Sequence, residues 1–219
     1  MMRRDRALMN IDQVIEIIIS RRQEFSPKAS LLAAISGIDG SGKSTMAQQV
    51  VERLKSQGLI VALIGLDAWH HLPEKRFNKD APAQHFYNYA FRFDELFEIL
   101  INPLRHNRST HMTVELTRLP ENDLYLHSYD LDKVDVIVLE GIFLFKKELR
   151  ENYDLAFWVE CSFETALRRA LLRNQEGLSE AEIIRDYQTI YFPAQKIHLT
   201  RDNPKSHVDG IVENDEQAS

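Results

Sequence analysis

The chain has 219 residues, 44% of them hydrophobic and 27% charged, with a formal net charge of -6. That length suits one well-buried domain over 1–219 and is short for two. The acidic balance excludes a general nucleic-acid-binding surface, which would be basic, and a single cysteine, Cys161, excludes an intrachain disulfide and suits a reducing cytosol.

The N-terminal "MMRRDRALMNIDQVIEIIISRR" starts basic, as a targeting segment does. Asp12 and Glu16 interrupt its apolar residues, and the longest apolar run is Ile17 to Ile19. That is too short for a signal core or a membrane span, so no membrane partner and a cytoplasmic location are expected. Ile11, Val14, Ile15 and Ile18 fall at i, i+3, i+4 and i+7, which predicts one helix over about 9–22. "SRRQEFSPKAS" then reads as a connector.

Four apolar runs predict strands buried on both faces: the run entering Gly37, "LIVALIG" (59–65), "VDVIVLEG" (134–141) and "LAFWVEC" (155–161). Continuous hydrophobicity of this kind suits a parallel sheet covered by helices. "HVDGIVEN" (207–214) is a fifth, weaker candidate. Between them lie helical patterns. Met46, Val50, Val51 and Leu54 share a face before Gly58, and Phe93 to Ile101 has helical spacing before Pro103. Ser162 can cap "FETALRRALLRNQ", and Ser179 with Glu182 makes a capping box for a helix that Pro193 follows. Strands alternating with helices predict an α/β three-layer sandwich. Trp69 to Asn88 reads as a long irregular excursion facing a substrate.

Gly37, Gly42, Lys43 and Ser44 fit G-x-x-x-x-G-K-[ST], placed after a strand and at a helix start. Glycines let backbone N–H groups turn around a phosphate, and the helix N-terminus adds partial positive charge. The cradle Gly37, Asp39, Gly40, Ser41, Gly42, Lys43, Ser44 and Thr45 is therefore the candidate nucleotide site, with Lys43 reaching the β- and γ-phosphates and the Ser44 hydroxyl on Mg²⁺. GTPase and ABC-type signatures are missing: "NKDA" has its Asp one place early, and no L-S-G-G-Q-like run occurs. Asp67 follows one strand and Glu140 ends another, so both emerge on the sheet edge that carries the loop. One carboxylate can take a proton from an attacking hydroxyl while another holds Mg²⁺. Arg169 and Arg173 lie one helical turn apart beside Arg168, placed to close over a transferring phosphoryl group.

These elements resemble the uridine kinase/phosphoribulokinase family of P-loop kinases: "GIDGSGKST", the placement of Asp67, "VIVLEGIFLF", "RRALLRN" and the closing "YFPAQKIHL…HVDGIVEN" follow the family's order from about 31 to 214. The resemblance implies a P-loop NTPase fold with a five-stranded parallel sheet and an arginine-bearing lid over about 166–192. It implies ATP and Mg²⁺, with a small hydroxylated acceptor. Lys43, Asp67, Glu140, Arg169 and Arg173 would be catalytic, with Asp67 as general base, and Ser44, Asp67 and Glu140 would serve the metal. The acceptor side departs from the family: "DAWHH" replaces a "DSFY"-like stretch, Asn88 stands where an Asp would fall, and "TVELTRLPEN" lacks the Tyr and His of the base-reading segment. Candidate acceptor contacts are His70, His71, Arg76, His85, Tyr87, Tyr89 and Arg92, with Phe86, Phe91 and Phe93 expected in the core. A uridine- or cytidine-like nucleoside leads as acceptor. Pantothenate, glycerate or a sugar phosphate, and a non-catalytic ATP-binding module, stay open, as does a homo-oligomer.

Overall fold

Six parallel strands form the central sheet of the computed structural model, which describes residues 8–173 and 177–215. In chain order the elements begin β1 (Leu8–Met9), α1 (Ile11–Glu24), β2 (Leu31–Gly37), α2 (Lys43–Ser56) and β3 (Val61–Gly65). A 3₁₀ turn (Leu66–Trp69) leads to α3 (Pro73–Arg76) and α4 (Pro82–Tyr89). Next come α5 (Phe93–Glu95), a π segment (Leu96–Ile101) and α6 (Asn102–Asn107). An antiparallel hairpin, β4 (Thr110–Arg118) and β5 (Asp123–Leu131), precedes β6 (Val136–Glu140), β7 (Leu155–Glu160) and α7 (Phe163–Arg173). The chain closes with α8 (Glu180–Asp186), a second π segment (Tyr187–Tyr191), α9 (Phe192–Asp202) and β8 (Gly210–Glu213).

The sheet order is β1-β8-β7-β2-β6-β3. Two apolar layers cover it. One face packs Val14, Ile15 and Ile18 of α1 and Met46, Val50, Val51 and Leu54 of α2 against Leu31, Ala33 and Ile35. The other packs Leu32, Ala34 and Leu139 against Trp69, Phe86, Leu96 and Phe143. Every residue of β2 and β6 is buried, as the unbroken apolar runs require.

The fold is the expected P-loop α/β sandwich, with three corrections. The sheet has six strands rather than five, because β1 is only two residues long and pairs with the last strand, Leu8 opposite Ile211. A two-residue strand carries no periodic signal. Trp69 to Asn88 is not irregular: α3 and α4 occupy it, both opened by proline. Helices also pass through Pro103 and Pro193 instead of ending before them. In each case a π turn comes first, with the amide of Asn102 reaching the Phe97 carbonyl and that of Phe192 reaching Tyr187. Proline lacks an N–H and crowds the carbonyl four residues back, and a wider turn relieves both.

Candidate active site

All six strands run the same way, so the functional loops gather at one edge. The phosphate loop leaves β2 at Gly37 and enters α2 at Lys43, which is buried. Gly42 has φ +89°, and a Cβ there would overlap the side-chain amide of Asn214. That amide donates to the Ser41 carbonyl at 2.7 Å, so the residue after β8 holds the loop in shape. Gly40, φ +76°, lies against the Ala166 backbone of α7, where a Cβ would overlap the carbonyl oxygen. Both glycines are demanded by close approach as well as by dihedral angle.

Register places the two acids. Glu140, the last residue of β6, lies between Ile35 of β2 and Gly65 of β3. Asp67 follows two residues past Gly65. The Ser44 hydroxyl donates to Glu140 Oε2 at 3.1 Å. Burial pushes the Glu140 carboxyl up; Lys43 opposes this, and Asp67 adds to it. A buried carboxylate beside a second carboxylate and a hydroxyl is an all-oxygen donor set, which suits a hard divalent cation such as Mg²⁺. Among the described residues no group of three or more His, Cys, Asp or Glu forms a self-sufficient cation site.

A cavity of about 110 Å³ opens beside Asp67. Asp39, His70, Arg76, Phe86, Arg173, Tyr187 and Gln195 are among its lining residues. Arg76 is buried, donates to Asn122 Oδ1 at 2.6 Å and lies over the Phe77 ring at 4.8 Å. His70 is buried against Phe91, with ring centroids 4.2 Å apart. Its Nδ1 donates to the Asp67 carbonyl at 2.7 Å, leaving Nε2 as an acceptor. Burial and Arg76 lower its pKa to about 4, against the opposing pull of Asp67. Gln195 of α9 is fully buried, and neither polar atom of its amide has a hydrogen-bond partner.

The two arginines assigned to a lid both turn toward the phosphate loop. Arg169 donates to the Asn214 carbonyl at 2.9 Å and to those of Gly40 and Ser41 at 3.4 and 3.3 Å. Arg173 lies 3.9 Å from Asp39. The Tyr187 hydroxyl also donates to Asp39, so one loop carboxylate ties down both α7 and the second π segment. Burial alone would raise the Asp39 carboxyl, but Lys43, Tyr187 and Arg173 together bring it below the usual range. The expected lid span includes residues 174–176, which lie outside the described residues.

Of the acceptor candidates, His70 and Arg76 reach the cavity, and Phe86 serves both core and wall. Phe91 is core as expected, and Phe93 packs against it half-buried. His71, His85, Tyr87, Tyr89 and Arg92 are not among the lining residues. Arg92 instead joins Glu95 at 3.0 Å, the Glu115 carbonyl at 2.9 Å and the Trp69 ring. His85 meets the Lys75 carbonyl at 2.8 Å and packs on Tyr89 at the surface. Tyr87 donates to Asp202 at 2.6 Å inside a buried network with His198. Sequence reasoning missed Gln195 and Tyr187, which lie more than a hundred residues from the loop; Gln195 falls inside the family-like "YFPAQKIHL" but nothing in that run marks its side chain, and Tyr187 carries no motif of its own.

Residues 32–196 match the model of the phosphoribulokinase/uridine kinase family. The chain belongs to this family. As a member of the phosphoribulokinase/uridine kinase family it is similar to curated "Uridine kinase" chains of Staphylococcus aureus, 28% identical over 174 residues, covering 76% of this chain and 80% of theirs. In fold it is similar to a structure described as "a Possible Uridine Kinase" from Bacillus stearothermophilus, with TM-score 0.71, 20% identity and coverage of 93% of this chain and all of that one. It is also similar in fold to D-glycerate 3-kinase from Cryptococcus neoformans, with TM-score 0.60, 10% identity and coverage of 93% and 95%. The phosphate loop, Asp67 and Glu140 all lie inside the span that matches the family. β1, α1 and β8 lie outside it.

Proposed function

We propose that this family member transfers the γ-phosphoryl group of ATP to a hydroxyl of a small acceptor seated in the cavity beside Asp67. The carrying observation is the convergence of Lys43, Asp67 and Glu140 on one sheet edge, next to a cavity with its own polar walls. Bound Mg²⁺, held through Ser44, Glu140 and Asp67, would neutralise charge on the phosphates. Asp67 takes the acceptor's hydroxyl proton. A bond then forms from that oxygen to the γ-phosphorus as the bond to the bridging oxygen breaks, and the electron pair leaves on ADP. Lys43 stabilises the oxygens that gain charge, and Arg173 is the arginine set over the cavity. Arg169, which braces the loop backbone, keeps those donors in register.

A uridine- or cytidine-like nucleoside is the proposed acceptor, supported by the curated relatives. Arg76 favours a second reading. A buried guanidinium on the cavity wall suits a carboxylate or phosphate, so glycerate, pantothenate or a sugar phosphate is the alternative. The substitution D67N, assayed with uridine, cytidine, pantothenate, glycerate and ribose phosphate, tests the proposal. Wild type should consume ATP with one of these acceptors. The variant should lose roughly 10²-fold or more in turnover while binding ATP as before. Wild-type turnover rates in D67N would overturn the general-base role. ATP binding with no active acceptor would point to a non-catalytic ATP-binding module.

A further inference from the structure

One wall residue of the cavity that Asp67 lines has hydrogen-bonding capacity that no other described residue takes up. Gln195 of α9 is fully buried, and neither Nε2 nor Oε1 of its amide has a hydrogen-bond partner. Phe86, Leu119, Ile142 and Tyr191 line the same cavity, and the Phe86 and Tyr191 rings meet edge to face at 5.1 Å. A polar group sealed among such neighbours is satisfied only by a ligand that both donates and accepts.

That demand is narrower than the demand of Arg76 on the same wall. A guanidinium only donates, so a carbonyl, hydroxyl, carboxylate or phosphate oxygen all serve it. The Gln195 amide must be met by a donor and an acceptor side by side, each on a nearly straight bond. A carboxylate or a phosphate only accepts, and leaves Oε1 without a donor. An open-chain secondary amide is trans, so its N–H and C=O point to opposite sides. A vicinal diol supplies both groups, but at the entropic cost of fixing two hydroxyl rotors. A lactam edge, with N–H beside C=O in one ring, supplies both at a fixed spacing. So does a ring nitrogen beside an NH₂ group, because half a turn of the Gln195 amide exchanges its donor and its acceptor.

We propose that Gln195 is a specificity-determining residue that reads such an edge, and that the acceptor carries a lactam or aminopyrimidine ring in place of a carboxylate or phosphate. This rests on the reading of the cavity as the acceptor site, and the test keeps the two apart. Binding of uridine, cytidine and a uridine methylated on its lactam nitrogen is measured calorimetrically on wild type and on Gln195→Met. ATP consumption is followed in parallel with uridine, glycerate and ribose phosphate. The methylated uridine keeps the sugar and the ring but has lost the lactam N–H. Wild type should bind uridine and cytidine roughly tenfold or more tighter than the methylated uridine. Gln195→Met, similar in length and apolar at its end, should bring all three to within about threefold of one another. Equal binding of uridine and its methylated form by wild type would overturn the proposal, however the variant folds. A contrast that persists in Gln195→Met would overturn it too, by assigning the discrimination to another residue. So would a wild type that binds no nucleoside, and turnover of glycerate or ribose phosphate by that protein would leave phosphoryl transfer standing. The expected binding contrast without turnover of any acceptor would uphold the role of Gln195 and sink the transfer reading.

Discussion

Gln195 is unusual for a side chain so deep in the protein. An amide with neither polar atom partnered costs about 1–3 kcal/mol relative to a satisfied one, and a fold keeps such a group only where something else uses it. It lies on the cavity wall, so under the proposed function a bound acceptor would be that user. Gln195→Leu is therefore expected to raise the thermal midpoint by a few degrees, at about 1 kcal/mol gained. The same change should lower kcat/KM for the acceptor, mainly through KM. A lower midpoint with unchanged kinetics would make Gln195 a structural residue. His70 gives a second test at this scale. With its pKa near 4 the imidazole stays neutral at pH 7, which under the proposed function would let Nε2 accept from a substrate hydroxyl. Nuclear magnetic resonance of the ring should show no titration between pH 6 and 8, and a midpoint near 6.5 would contradict the buried, Arg76-opposed environment. Neither property is legible in the sequence. "DAWHH" marks a histidine near Asp67, but only its burial, against Phe91 and beside Arg76, settles its charge. Gln195 sits in an ordinary amphipathic helix whose pattern says nothing of hydrogen-bond partners.

Elements with strong local chemistry were readable. The Ser179–Glu182 capping box, the phosphate loop and the apolar strands β2, β3, β6 and β7 all stand where the sequence puts them. The misread elements are those where tertiary packing overrides a local rule. Pro103 and Pro193 signal helix ends, yet each helix continues through a π turn, because apolar residues on both sides of the proline stay buried on one face. The second π turn has a further effect. It carries Tyr187, whose hydroxyl fastens this stretch to Asp39 of the phosphate loop. Tyr187→Phe removes that charge-assisted bond and should cost about 1.5–3 kcal/mol, read from urea denaturation midpoints. A midpoint equal to wild type would show that the contact contributes nothing in solution.

At the scale of the whole molecule, buried basic groups set how stability responds to pH. Lys146 is buried, donates to the Tyr87 carbonyl at 2.6 Å and lies over the Tyr87 ring. Burial lowers its pKa from 10.5 to about 8, outweighing Glu148 and Asp202. Between these two values the unfolded chain holds more protons than the folded one, so this group's contribution to stability rises with pH across that window. Lys146→Met should remove the rise, seen as a smaller gain in denaturation midpoint from pH 8 to 10 than in wild type. Equal gains would mean that Lys146 ionises in the fold as it does in water. The sheet order has a different consequence, one for the time course of synthesis. The phosphate-loop sequence is translated before Asn214, which braces the loop, and among the described residues β1 pairs only with β8. A growing chain therefore carries its phosphate-loop motif well before the residues that fix the loop and pair with the first strand have been made. If the loop needs Asn214 to hold a nucleotide, a product terminated before residue 214 should draw less ATP than one that includes it.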